Sequence, residues 1–557
     1  MIEIEYTTIM IAYLIGFALG WAFHSARSAA TPQPIRILKT LNMDQQSLII
    51  LYSILKKITI KVKRNPKRAD IIKATLAVIA NREMSIERGV KLLKKYKIPV
   101  PSQDAILRLM HLADMRTLEK GVMDMLREII AYAREMKLLS RKIIVAVDTM
   151  NISYYGHMGH TNASKFKKAL KFVERSSIYV HKGKDGMYFK YLTASIANSK
   201  LSGLLIWLSP IKSTESIVDH VARFLEFYKD VLKIHMLLMD RGFYNRSIYR
   251  LCKRYNVKVL TPAPKTSGMK QMIIKELGFE ELIDEADSLV SMLNEILSVS
   301  GKGRGYKNLV QLKKFVSGVL FDLSRAETLA AVMSVLERLN DIPCVPRIKD
   351  RIFEIKRTAE LLTKYIKNPP RIQISEYTVG GKGGVDVFVA IVLSNDRYSE
   401  QMKIKFTGKE RRLSDILRCS LVKVYYLFVS GDMENLEKRR YQVYRRRWAV
   451  ETAHRMLRSA LSRTTTNDVV ARYFLAAVSL AVYDVWVLAR KESEELVYEP
   501  RFREFREDIR ESFYVFVLVW EGVVEFEVTE VITISGVRGI PYKCERESWP
   551  PPVMIAI

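Results

Sequence analysis

YRRRWAVETAHRMLR, residues 444–458, gathers five arginines around a single carboxylate, Glu451. The stretch has no proline or glycine and is rich in helix formers, so it reads as one helix. At about 100° per residue, Tyr444, Arg447, Glu451 and Arg458 fall within an arc of roughly 60°, with Trp448 and Arg455 alongside. Ala449, Val450, Ala453, Met456 and Leu457 take the other side, an apolar face suited to docking on a sheet. A solvated helix stitched by Arg447–Glu451 and Glu451–Arg455 pairs at i,i+4 would show the same pattern. The rest of the chain decides between the two.

Working outward, VKVYYLFVS (422–430) precedes the helix and reads as a buried strand, and VVARYFLAAVSLAVYDVWVLA (469–489) follows it as a very apolar helix. Far upstream, two apolar runs end in an acid: KIIVAVDTM (142–150) in Asp148 and KIHMLLMDRGFYN (233–245) in Asp240. An acid closing a buried strand sits where an open α/β sheet meets its ligands, although a lone one is more often a turn former. Around these runs, 185–197, 202–211 and 257–264 read as strands, and 214–232 and 246–255 as helices. Strands followed by alternating helix and strand predict an α/β protein, a mixed sheet flanked by helices. Phosphodiester chemistry supplies a reason for acids beside arginines. Two divalent ions can activate the attacking oxygen and stabilise the leaving one, carboxylates must hold them, and arginines grip phosphate.

These residues carry a resemblance. Tyr444-x2-Arg447-x3-Glu451-x6-Arg458 resembles the Y-x2-R-x3-E-x6-K signature of DDE insertion-sequence transposases, with arginine in place of the final lysine. Trp448 fits the common R-W pairing, DRGFYN (240–245) is similar to the motif around the second catalytic aspartate, and DTMNISYYG (148–156) resembles the first-aspartate motif of an archaeal and bacterial branch. The resemblance implies a ribonuclease H-like core with Asp148, Asp240 and Glu451 as catalytic and metal-binding triad, and Mg2+ or Mn2+, two ions, as cofactor. It implies that Tyr444, Arg447 and Arg458 contact phosphates of double-stranded DNA, and that Trp448 stacks on a base. A homodimer or higher assembly on the transposon ends and target DNA is implied as well.

The domain expectations follow: 1–30, apolar segment; 38–140, helical and DNA-binding; 141–265, first part of the core; 266–410, an insertion, helical then β; 411–490, second part of the core; 491–557, a β-rich tail. Well-known relatives carry a β-rich insertion where 266–366 reads helical. Residues 84–111 read as two helices about a tight turn, capped by Ser85 and Ser102, with Gln103, Asp104 and Arg108 outward, either a helix-turn-helix or part of an ordinary bundle. Residues 6–23, uncharged, read as a membrane anchor, a buried helix or an extension from a wrongly assigned start. The expected location is cytoplasmic and DNA-associated, with membrane contact through 6–23 under the first of those readings.

Composition fits this picture. The 557 residues carry 90 Lys+Arg against 60 Asp+Glu, a net charge of +30 that suits a polyanionic partner. Cys252, Cys344, Cys419 and Cys544 are scattered, which excludes a cysteine zinc finger or a disulfide framework. Glycine fingerprints of P-loop and dinucleotide folds are absent; GKGRGYK (301–307) lacks their spacing. His157 and His160 read as solvated loop residues rather than a metal pair. His454 either packs beside Glu451 or touches DNA, with no support as a base, and Lys265 is a candidate phosphate contact. A catalytically inactive DNA-binding relative and a membrane-anchored basic protein are the alternative readings.

Overall fold

In a computed structural model, the described residues are 35–36, 55, 85–95, 101–154, 176–184, 186–198, 201–300, 306–326, 329–367, 370–380, 383–393, 412–461, 464, 466–492 and 524–525. The apolar segment 6–23, most of 38–84, His157, His160 and the tail beyond 492, save a short parallel pairing of 35–36 with 524–525, lie outside them. The chain divides into two compact units: unit 1 comprises 1–235 with 446–557, and unit 2 comprises 236–445.

Unit 1 opens, among the described helices, with α1 (Ile86–Lys95), α2 (Gln103–Leu112) and α3 (Met115–Glu135). Ser102 and Asp114 cap the last two, accepting from Ala105 N at 3.3 Å and Thr117 N at 2.8 Å. Strand β1 (Ile143–Ser153) then pairs antiparallel with β3 (Gly186–Ile196), which also pairs antiparallel with β2 (Val180–Gly183) and β4 (Leu205–Ile211). Helix α4 (Ile217–Tyr228) packs on β4 through an aromatic cluster in which Trp207 meets Phe224 and Phe227, each at 5.5 Å between centroids. These elements fall close to the ranges predicted from the sequence, but β1 runs to Ser153 rather than stopping near 150. Asp148 therefore sits inside the strand, in register with Thr193 of β3, and not at its end.

The chain returns to unit 1 with α12 (Trp448–Ala460) and α13 (Val469–Glu492); the intervening labels belong to unit 2 below. Helix α13 is long and apolar enough to cross a membrane, yet its apolar window is wholly buried inside the structure. It is the core of unit 1, and hydrogen bonds fasten it there. Tyr473 donates to the Leu208 carbonyl at 2.9 Å, Tyr483 to the Gly203 carbonyl at 3.1 Å, and Asp484 Oδ1 accepts from Leu205 N at 2.9 Å. Gly203 has a φ of +100°, and a Cβ there would press on the Tyr483 hydroxyl at 3.1 Å, so the turn beneath α13 favours glycine twice over.

Burial holds the Asp484 carboxyl well above the usual carboxylate range, more than the Leu205 amide can offset. The folded chain keeps this proton while the unfolded chain loses it above about pH 4, so rising pH favours unfolding by up to about 1.4 kcal/mol per pH unit. Asp484→Asn keeps the acceptor and removes the titration. Urea unfolding from about pH 5 to about pH 8 is expected to show the variant gaining on the wild type as pH rises; parallel curves would contradict the assignment.

Unit 2 starts in β5 (Ile234–Met239) and continues through α5 (Arg246–Arg254) to β6 (Lys258–Pro262), which pairs parallel with β5. Five helices follow, α6 (Ser267–Glu276), α7 (Phe279–Ser298), α8 (Tyr306–Arg325), α9 (Leu329–Arg338) and α10 (Lys349–Lys367), as the charged amphipathic pattern predicted. Helices α7 to α10 pack as a ring, α7 on α8 and α10, α9 on α8 and α10. Arg351 ties α10 to α7 through Glu295, donating from Nε at 2.9 Å. The hairpin β7 (Ile372–Val379) and β8 (Val385–Leu393) comes next, then α11 (Leu413–Val424) and β9 (Tyr425–Ser430). Strand β9 pairs antiparallel with both β6 and β8. The sequence reading placed a strand over 422–430; residues 422–424 instead close a helix, because their apolar side chains suit either state until packing decides.

Three antiparallel strands, a helix, and then a parallel pair joined by a helix give the succession of a ribonuclease H-like core. The chain is mixed α/β, with sheet strands flanked by helices.

Candidate active site

Residues 444–458 do not form one uninterrupted α-helix. Arg440–Arg447 is a 3-10 segment, and α12 begins at Trp448. The 3-10 winding advances about 120° per residue rather than about 100°, so the arc drawn from Tyr444 does not carry across the junction. From Trp448 onward the predicted faces hold. Val450, Ala453 and Leu457 are buried against β1 and β3, while Trp448, Arg455 and Arg458 are exposed.

Arg447 sits at the junction and reaches both acids of unit 1. Its Nη1 donates to Asp148 Oδ2 at 3.0 Å, and its Nη2 donates to Glu451 Oε1 one helical turn on. The Arg447 side chain is 12% exposed, Asp148 19% and Glu451 40%. Asp148 Oδ1 also accepts from Thr149 N at 2.7 Å, which fixes the carboxylate's rotation. A strand acid and a helix acid separated by some three hundred residues thus share one guanidinium (|i−j| is 299 for Arg447 and Asp148).

Asp240 belongs to unit 2. It follows β5 directly, as predicted, and is exposed. Its carbonyl accepts from Phe243 N at 2.9 Å to start a 3-10 turn, Phe243 is buried beneath that turn, and Asn245 Oδ1 caps α5 through Ser247 N at 2.8 Å. Phe243 and Asn245 of DRGFYN therefore shape the turn that follows the acid. Also in unit 2, Tyr444 lies against Phe428 of β9 with centroids 5.4 Å apart, and Tyr441 stacks on the same ring at 5.6 Å. Lys265 is half-buried just after β6.

A family model described as the transposase DDE domain matches residues 140–481, more than half of the chain. The chain belongs to that family. No curated protein sequence matches it.

Transposases work on DNA, and DDE transposases generally use divalent metals. Whether this transposase's acids suit such an ion is decided by their donors and their surroundings. Among the described residues no three His, Cys, Asp or Glu side chains are gathered into a metal-holding group. Asp148 and Glu451 nonetheless offer hard carboxylate oxygens of the kind Mg2+ and Mn2+ prefer, and both already turn to one shared cation, the Arg447 guanidinium. The donor set fits.

The sequence reading missed one buried polar contact beside the acids. His454, three residues past Glu451, is buried at 7% exposure and lies 2.6 Å from the Thr193 hydroxyl of β3. It faces the sheet and is buried, which corrects the reading that it touches DNA. Burial, aided by the Arg458 and Arg447 charges, pushes its pKa down to about 4. Nothing local marks this histidine, since its partner is 261 residues away.

Trp448 is 67% exposed at the first position of α12. Trp448→Ala is expected to leave stability within about 0.5 kcal/mol and to weaken binding of DNA by about 1–3 kcal/mol, the worth of one stacked base. Unchanged DNA affinity, measured by fluorescence anisotropy, would contradict a stacking role.

Proposed function

We propose that the chain is a DNA transposase of insertion-sequence type that hydrolyses the phosphodiester at transposon ends and then joins the freed 3′-OH to target DNA. The observation carrying this reading is the single guanidinium shared by Asp148 and Glu451, beside a helix whose outer face bears Trp448, Arg455 and Arg458. Asp148, Asp240 and Glu451 would hold two Mg2+ or Mn2+ ions. Bound there, the ions supply Lewis-acid stabilisation to the attacking and leaving oxygens.

The chain's own residues do the rest. Arg447 aligns the carboxylates of Asp148 and Glu451 and offsets part of their charge until a metal and a phosphate arrive. Arg458, exposed at the end of α12, takes a phosphate of the transposon end, and arginine there keeps the charge of the family's lysine while offering a forked donor. Tyr444 contacts the same backbone, and Trp448 stacks on a base near the cut. Residues 38–140 recognise the terminal repeats, and synapsis of two ends calls for a dimer or larger assembly in the cytoplasm.

The experiment is strand cleavage of plasmid DNA carrying the sequences that flank the reading frame. Breaks with 3′-OH ends that require Mg2+ or Mn2+ and vanish with chelator are expected. DNA that is bound under both metals yet never cut would replace this reading with that of an inactive DNA-binding relative.

A further inference from the structure

We infer that His454 and Thr193 are positioning residues that fix the depth and register at which the Glu451 helix lies on the Asp148 strand. The inference rests on the proposed reading of Asp148 and Glu451 as metal-holding acids.

The geometry is a relay of two hydrogen bonds through β3. Thr193 is fully buried and stands opposite Asp148 in the β1–β3 register. Its hydroxyl donates to the Asp148 carbonyl at 3.1 Å, and its oxygen lies 2.6 Å from His454 Nε2. A hydroxyl has one proton. With that proton on the carbonyl, the oxygen can only accept from the ring, so His454 carries its proton on Nε2. The ring is neutral near pH 7, because burial first and the neighbouring arginines second disfavour its charged form. The tautomer is thus set by what the strand needs.

The relay and the Arg447 bridge take hold of Asp148 from its two ends. Arg447 grips the carboxylate, where solvent reaches; the relay grips the backbone carbonyl from the buried side. Both start on the segment that carries Glu451. Apolar packing of Val450, Ala453 and Leu457 favours contact with the sheet but has no preferred register along the helix axis. A short hydrogen bond does. Metal-holding oxygens must sit within about 0.2 Å of their places, so a directional contact on the buried side has a use that a purely structural one lacks. Stability alone would favour an apolar pair here, because a buried imidazole and hydroxyl must keep each other satisfied to avoid a desolvation cost.

The test uses the full chain and four substitutions. His454→Gln keeps an N–H donor near the Nε2 position, and Thr193→Ser keeps the hydroxyl. His454→Asn carries its amide too short to reach, and Thr193→Val removes the hydroxyl at constant shape. Measured are kcat and KM for Mn2+-dependent cleavage of end DNA, Mn2+ affinity of the DNA-free chain by electron paramagnetic resonance, and Tm. His454→Asn and Thr193→Val are expected to lower kcat and Mn2+ affinity by roughly 10–100-fold with KM for DNA unchanged. His454→Gln and Thr193→Ser stay near the wild type, and the His454→Asn/Thr193→Val double variant is no worse than its worse parent. In the wild type, nitrogen-15 histidine spectra should show a neutral Nε2–H ring that does not titrate between about pH 5 and about pH 8 and that disappears in His454→Gln, whereas the buried His220 ring, whose pKa is likewise pushed down to about 4, remains. If the wild type cuts and binds Mn2+ while all four variants match it, or if losses follow Tm regardless of which donor remains, the inference fails alone. A wild-type chain that neither binds Mn2+ nor cuts overturns the proposed function and the inference together.

Discussion

Glu451→Gln is expected to abolish cleavage of end-containing DNA, by roughly 10³-fold or more, while leaving DNA binding and folding intact. The size of the effect follows from what the substitution removes. Glutamine keeps the shape and one acceptor oxygen for Arg447 Nη2, so the local bridge survives in weaker, neutral form. What it loses is the negative charge, and a neutral amide is a poor ligand for Mg2+. Glu451 is 40% exposed, so the change should cost little stability, and a lost activity cannot be put down to a lost fold. Asp148→Asn is expected to match it in activity. It should be less benign in stability, since Asp148 is 19% exposed and its Oδ1 also holds the Thr149 amide. Cleavage assays beside circular dichroism and anisotropy separate these readouts. Cleavage by Glu451→Gln at the wild-type rate would remove that acid from the site.

Arg447→Ala carries the second large effect, and it acts in two opposite directions. Without the guanidinium, Asp148 and Glu451 face each other without that counter-ion. The metal-free fold should lose about 1–3 kcal/mol, less than the ~3–5 of a fully buried pair because Glu451 is partly screened by solvent. Added Mn2+ then meets two carboxylates without competition from the Arg447 guanidinium. The rise in Tm on adding Mn2+ is therefore expected to be larger in the variant than in the wild type. Cleavage should still fall by about 10²-fold or more, because a preorganised charge at the reacting phosphate is lost. Differential scanning fluorimetry with and without Mn2+ checks the first pair of outcomes. A smaller metal response in Arg447→Ala would show that the arginine supports metal binding rather than competing with it.

How much of this could be read from the chain varied with the range of the interactions involved. Asp240 was legible because its setting is local: an apolar run, an acid, then a turn in which Phe243 and Asn245 act within five residues. Helix α13 was legible from hydrophobicity alone, although its role as core rather than membrane span depends on the strands and helices packed around it. Asp148 was found but misplaced. The apolar run ends at Val147, whereas β1 continues because β3 supplies a partner as far as Ser153, and that partner lies outside any local window. The break between the 3-10 segment and α12 was invisible, since a run of arginines favours neither winding and Arg447 is held by an acid 299 residues away. His454 was seen and its partner missed for the same reason. Its environment is set by Thr193, and a sequence has no mark for a hydrogen bond across a sheet.

The most direct measurement of the central claim compares wild-type, Asp148→Asn, Asp240→Asn and Glu451→Gln chains in one assay. Each is given end-containing DNA, Mn2+ and a target plasmid, and both nicking and strand joining are followed. Asp240 decides the matter, because it belongs to a different compact unit from Asp148 and Glu451. The account predicts that all four chains bind DNA and only the wild type cuts and joins it. Cutting by Asp240→Asn at the wild-type rate, or no metal-dependent cutting by the wild type, would contradict it.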